Sequence, residues 1–220
     1  MLQTKEIRAL YNENTIRIYQ AYSKKIANEA IKLGTFGPLF KMDRMTWIKP
    51  SFLWMMYRSG WAKKDGQERI LAIDIKREGF EEIIENVVFS SFKERIYVSY
   101  EDWQSRLKVS EVRCQWDPDR DICGNPLNRR AIQLGLRGSM VENYVNKWIT
   151  SIHDITDYVN NVCESIRLGK FQENMLPKEQ EYPLSNNQKV ILGVKDGSGE
   201  HMKGGQDHTH IYNHHIPYVK

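Results

Sequence analysis

The chain has 220 residues, a length that suits one domain with a core of its own. Hydrophobic residues at 40% and charged residues at 27% exclude collagen-like, mucin-like and wholly disordered chains. Lys and Arg number 32 against 28 Asp and Glu, and a net charge of +4 is too small to indicate a nucleic-acid partner by itself. The three cysteines, Cys114, Cys123 and Cys163, form no CxxC pair, so reduced thiols are expected rather than a disulfide scaffold or zinc ribbon. The N-terminal segment has no apolar signal-peptide core, and no apolar run is long enough to span a bilayer. A soluble, cytoplasmic protein without membrane contact is expected.

Residues Thr15–Tyr22 (TIRIYQAY) alternate apolar and polar side chains and are β-branched or aromatic, which predicts a strand. Ser23 is placed to cap a helix over SKKIANEAIKLG, closed by Gly34, with Ile26, Ala30 and Leu33 on one face. After a loop, residues 47–49 suit a short strand, and Pro50 suits the first turn of a helix ending at Gly60. RILAIDIK at Arg69–Lys76 predicts a strand with Ile70, Ala72 and Ile73 toward a core, followed by a helix over GFEEIIENVV, whose Glu81, Glu82 and Glu85 form a solvated face.

Residues 94–100 and 111–116 read as strands with a short helix near 101–108 between them. WDPDRDICGNPLN reads as a long polar turn, and residues 130–136 as a strand. From Ser139, apolar residues Val141, Tyr144, Val145, Trp148, Ile149 and Ile152 recur at helical spacing, predicting one long helix that continues to Leu168 and carries His153. Residues 1–185 are thus expected to form a single α+β domain, with a curved, mainly antiparallel sheet and flanking helices. Residues 186–220, polar and rich in Gly and His, are expected to be a disordered tail.

Residues 44–61, RMTWIKPSFLWMMYRSGW, are the densest stretch: Trp47, Trp54 and Trp61 recur every seven residues among methionines, with Arg44, Lys49 and Arg58 beside them. One reading is a helix whose Trp/Met face is core; the other is the wall of a nucleotide pocket, since cations beside indoles suit both cation–π contacts and phosphate binding. This stretch, together with TIRIYQAYSKKIA, QWDPDR and RAIQLGL, resembles the family known as domain of unknown function 4291, over roughly residues 5–185.

The order of strand IYQAY, a helix, WIKPS, a second helix and strand ILAIDI is also similar to the opening half of compact ADP-ribosyltransferase-like domains. That likeness implies an ADP-ribosyltransferase-like core and NAD as cofactor. It places Arg17, Tyr19 or Gln20 in a first-strand role and Ser51 on the second. Gln133, or Gln115, stands where such domains carry a carboxylate or amide. A His on the first strand and a Glu at the third site are missing. Under this reading Arg44, Lys49 and Arg58 hold phosphates, and Trp47 or Tyr22 stacks on a base or nicotinamide.

In WDPDRD, the residues Asp117, Asp119 and Asp121 lack the glycine and terminal glutamate of a calcium loop, and an Asx-turn with a local ion pair is expected. Arg120, Arg129 and Arg130 beside it either bind phosphate or belong to a solvated loop. Five of the six histidines, His201, His208, His210, His214 and His215, lie in the tail, so no metal site is expected in the domain. No Rossmann or P-loop pattern occurs. Three functions fit these residues: a nucleotide- or NAD-using transferase acting on a nucleic-acid or protein acceptor, a non-catalytic nucleotide or nucleic-acid binder, and a protein-interaction domain.

Overall fold

A computed structural model describes residues 3–195 of the chain. The fold is α+β, one domain, and five of its seven strand pairings are antiparallel. In chain order the main elements are β1 (Thr4–Lys5), β2 (Arg8–Ala9), β3 (Thr15–Tyr22), α1 (Lys24–Leu33), β4 (Thr46–Ile48), α2 (Phe52–Ser59), β5 (Arg69–Lys76), α3 (Arg77–Glu85), β6 (Val87–Phe89), α4 (Tyr100–Val109), β7 (Val112–Arg120), β8 (Pro126–Leu136), α5 (Ser139–Asn143), β9 (Ile149–Asp154), α6 (Thr156–Arg167), β10 (Gln180–Glu181) and α7 (Asn186–Leu192). None of the helices among the described residues is long and apolar enough to cross a membrane.

Strands β3, β5 and β9 form an antiparallel three-stranded sheet, and β8 anchors a curled five-stranded one with β7 on one side and β1 and β4 on the other. A single bridge, in which Tyr19 N donates to Lys49 O at 2.7 Å, joins β3 to the chain just after β4. The alternation in TIRIYQAY now has a structural meaning, because both faces of its sheet are covered. Ile16 and Ile18 enter the main core, with Leu71, Ile73 and Ile75 of β5. Tyr19 points the other way, into a second cluster with Phe52, Met55 and Met56 of α2 and Val159 of α6.

Several local expectations change. Pro50 lies two residues ahead of α2, and Ser51 is the cap: its Oγ accepts from Trp54 N. The helix after β5 ends at Glu85, and Val87–Phe89 becomes β6, pairing in parallel with β7. Residues 94–98 form turns and bends rather than a strand. The predicted polar turn is largely strand: β7 runs to Arg120, with a register irregularity between Pro118 and Arg120, and β8 starts at Pro126. Asp121 alone supplies the Asx-turn, accepting from Cys123 N and Asn125 N.

The predicted long helix is four elements, the last of them α6. A short α-helix, α5, runs into a π-helical turn at Tyr144–Trp148, and the chain then extends as β9, so His153 lies on an exposed strand position. Ile149, Thr150 and Ile152 are β-branched, and the free edge of β5 offers them a ladder; tertiary pairing overrides the helical spacing. Ser139 is not the cap, a place taken by Gly138, and instead donates to Glu111 Oε2.

Helix α7, closed by a capping box at Ser185 and Gln188, occupies the start of the segment assigned to the tail. Lys5 Nζ donates to the carbonyls of Leu192 and Gly193, and Trp116 Nε1 to that of Leu192, so the helix end is tied to β1 and β7. The expected disordered tail beyond it, residues 196–220, lies outside the described residues.

Candidate functional site

Beside the Tyr19–Lys49 bridge, side chains rather than a backbone ladder span β3 and β4. Gln20, 3% exposed, donates through Nε2 to Thr46 Oγ1 (2.7 Å) and Trp47 O (3.2 Å), and its Oε1 accepts from Tyr144 Oη (2.7 Å). Tyr22 Oη lies 3.1 Å from Thr46 Oγ1. Burial pushes the Tyr22 and Tyr144 phenols well above their usual range, so both are neutral hydrogen-bonding groups. The π-helical turn presents Tyr144 to this network.

Over this floor opens a cleft of about 370 Å³, lined by Gln20, Tyr22, Thr46, Trp47 and Met55 together with four cations, Lys41, Arg44, Lys49 and Arg58. Strand β8 makes room for the indole of Trp47. Its Gly135 pairs with Trp47, and a Cβ there would stand 3.0 Å from Trp47 Cε2 and 2.7 Å from Met45 Sδ. Lys41, Arg44 and Arg58 are exposed, whereas Lys49 is 6% exposed. No carboxylate lines the cleft, and none of the four cations has a carboxylate within ion-pair distance among the described residues.

Lys49 lies deepest. Its Nζ donates one hydrogen bond, to Trp47 O at 3.3 Å, and sits 5.5 Å from the centre of the Trp54 ring. Burial, reinforced by repulsion from Arg58 and opposed by attraction from Asp117, brings this amine down to about 7. Asp117 is itself shifted upward by burial, against a hydrogen bond from Gln133 and the pull of Arg130, Lys49 and Arg120. Gln133 Nε2 donates to Asp117 Oδ2 and to Gln115 Oε1, both at 2.7 Å. These three residues form a polar patch on β7 and β8.

The other residues singled out by sequence sit elsewhere. Arg17 forms a two-pronged ion pair with Asp74 of β5, at 2.9 and 2.7 Å. Tyr19 packs edge-on against Phe52, and its hydroxyl has no partner. Ser51 Oγ donates to Asp119 Oδ1 at 3.2 Å, and Asp119 also takes a 2.8 Å bond from Arg129. Glu179, from the segment after α6, accepts from Phe52 N at 2.6 Å. Burial, with Asp119 nearby, pushes its carboxyl up to about 8, against the pull of that bond. Arg120 lies 3.9 Å over the ring of Tyr57. The structure therefore gathers Gln20, Tyr22, Arg44, Trp47, Lys49 and Arg58 around one cleft, and leaves Arg17, Tyr19, Ser51, Gln115, Arg120 and Gln133 off its wall.

Sequence reading passed over Lys41, Thr46 and Tyr144. Tyr144 was legible only as an apolar position; its hydroxyl acquires meaning once β3 lies against the π-helical turn. Among the described residues no group of three or more His, Cys, Asp or Glu side chains is placed to hold a metal ion.

An α+β domain with a solvent-open cationic cleft beside its sheet junction is the class that fold and site define. The chain belongs to the family described as "Domain of unknown function (DUF4291)", whose model matches residues 6–182. No match to a curated protein is found.

Proposed function

We propose that this cleft binds a nucleotide through its phosphates. The observation that carries the reading is the convergence of Lys41, Arg44, Lys49 and Arg58 on one recess without a carboxylate to neutralise them. Cations held in a concave site concentrate anions, and Trp47 supplies a flat apolar surface for a base. The arginines converge on a recess rather than tracking an open face, which favours a small ligand over a nucleic-acid strand. Trp54, Met55 and Met56 are buried, so the Trp/Met face of α2 offers no patch for a protein partner. Calorimetric titration with ATP, ADP-ribose and NAD at two salt concentrations tests the reading. Binding of at least one, weakened by salt, is expected; no heat with any of the three overturns it.

A finer reading, that the ligand is NAD and that the protein transfers ADP-ribose, draws support from Gln20, a first-strand amide held rigid at the cleft wall next to Trp47. Release of nicotinamide from NAD by the purified protein is the result expected. Binding without release leaves a nucleotide-binding module.

A further inference from the structure

We propose that Lys49 is a nucleophilic amine at the floor of the cleft, and that the cleft takes a phosphorylated aldehyde or ketone whose carbonyl carbon forms an imine with Lys49 Nζ. The inference rests on the anion-binding reading of the cleft and adds a reactive centre to it.

A lysine ammonium offers three donors and needs partners when removed from water. Lys49 has one hydrogen bond, long at 3.3 Å, and no carboxylate within ion-pair distance. Its neighbours in the chain, Ile48 and Pro50, are buried, as are Trp54 and Met55 across from it. Lys5 shows the contrast. It too is partly buried with its amine shifted downward, but its Nζ caps two carbonyls and lies over the rings of Phe89 and Trp116, a role that needs the charge. Lys49 has one long carbonyl bond and one ring beneath it, Trp54, and unlike Lys5 it borders the open cleft.

The charged groups facing it come from each neighbouring element. Arg58 of α2 repels its proton and Asp117 of β7 attracts it, while Lys41 and Arg44 from the loop before β4 line the same recess. The outcome is an amine that is half neutral near pH 7, which burial makes available as a nucleophile. Three exposed cations stand at the mouth and one half-neutral amine below, an arrangement that orders a ligand with its phosphate outward and its electrophile inward.

In the reaction the Nζ lone pair forms a bond to the carbonyl carbon, and the carbonyl π pair moves to oxygen, which takes a proton. The resulting carbinolamine loses that oxygen as water, and the nitrogen gives up its proton to leave the imine. No electrons are gained or lost.

The full-length protein is incubated near neutral pH with pyridoxal 5′-phosphate as probe and then with cyanoborohydride, which delivers hydride to the imine and fixes it as a secondary amine. Peptide mass spectrometry locates the adduct. Lys49 is expected to be modified ahead of exposed lysines such as Lys25 and Lys32, with a pH midpoint of about 7. ATP should slow the modification, and pyridoxal without its phosphate should react about tenfold more slowly or worse, the loss of a charge-assisted bond. Lys49→Arg should take no adduct at that position. Calorimetric nucleotide binding with Lys49 no more reactive than the exposed lysines overturns this inference and leaves the nucleotide reading standing. Fast modification of Lys49 by pyridoxal and its phosphate alike, with no nucleotide binding, retains the nucleophile and overturns the phosphate half of the proposal together with the nucleotide reading.

Discussion

Two polar regions flank helix α2, and they treat charge in opposite ways. In the seam at its N-terminus, Asp119 is matched by Arg129 and Ser51, and Glu179 accepts from the helix backbone. In the cleft, four cations converge without a matching carboxylate. The seam is self-sufficient, and its polar atoms satisfy one another. The cleft leaves its cations unmatched, the arrangement that the proposed anion site requires. Mutations should therefore separate the two: stability should respond in the seam, and ligand affinity in the cleft.

The largest effect is expected at Asp119. Its side chain is 4% exposed and its partner Arg129 34%. Asp119→Ala strands the guanidinium and the Ser51 hydroxyl, and a broken buried pair costs about 3–5 kcal/mol; the partial exposure of Arg129 puts the expectation at about 3 kcal/mol. Urea unfolding measures it. Nucleotide affinity of the folded variant should be unchanged within about twofold, and a parallel loss of affinity would show that the seam and the cleft are one site.

Next in size is the pH dependence of stability, to which the two regions contribute with opposite signs. Glu179 titrates from 4.5 in the unfolded chain to about 8 when folded. The folded state holds the extra proton in this window, so its contribution is full below 4.5, falls as pH rises and is gone above about 8. Lys49 runs the other way. Its amine drops from 10.5 to about 7 on folding, so stability is lost as pH falls from 10.5 through 7. Each contribution is on the order of 2 kcal/mol after allowance for relaxation of the buried groups. Glu179→Gln should flatten the acid-side slope and leave the alkaline one. A slope that persists in this variant would assign it to other carboxyls.

Smaller still are the cleft cations. Arg44→Ala and Arg58→Ala should each weaken ATP binding by about tenfold, equivalent to about 1.4 kcal/mol. Both side chains are exposed, so unfolding free energies should stay within about 0.5 kcal/mol of wild type. Loss of stability without loss of affinity would reverse the contrast between the regions.

How far these regions were legible in the sequence differs as well. β3, α1 and β5 follow directly from alternation, Ser23 and Gly34, because each has a face pattern that its own residues specify. The cleft was legible in part for the same reason: Arg44, Trp47, Lys49 and Arg58 fall within one short segment and need only β4 and α2 to converge. The seam was legible only in its local ion pair, Asp119 with Arg129, because Ser51 and Glu179 reach it from distant stretches. Glu179 in particular is positioned by the two-residue pairing of β10 with β2, which has no sequence signature. The helix expected through residue 168 failed at β9, where the decisive partner, the edge of β5, lies some 75 residues away in the chain. Alternation in β3 also carried more information than the family likeness. It places Arg17 and Tyr19 on one face and Gln20 and Tyr22 on the other, so they do not share a cleft.

The smallest effect, and the sharpest test of that division, is Tyr19→Phe. The phenol of Tyr19 is 1% exposed, its ring packs on Phe52, and its hydroxyl has no hydrogen-bond partner. Removing a buried hydroxyl that is already unsatisfied forfeits no bond and relieves a desolvation cost, so stability should stay within about 0.5 kcal/mol or rise slightly. The ring, which does the packing, is retained. Tyr144→Phe is the control across the strand. It removes a 2.7 Å bond to Gln20 Oε1 and leaves that acceptor buried, a loss of about 1–2 kcal/mol that should also loosen Gln20 and weaken nucleotide binding. Because Tyr19 faces α2 and α6 while Gln20 faces the cleft, Tyr19→Phe should leave nucleotide affinity within about twofold of wild type. A tenfold loss would mean that the Tyr19 hydroxyl reaches the ligand. The two faces of β3 would then serve one site, and the seam, through Glu179 near that hydroxyl, would belong to the binding machinery.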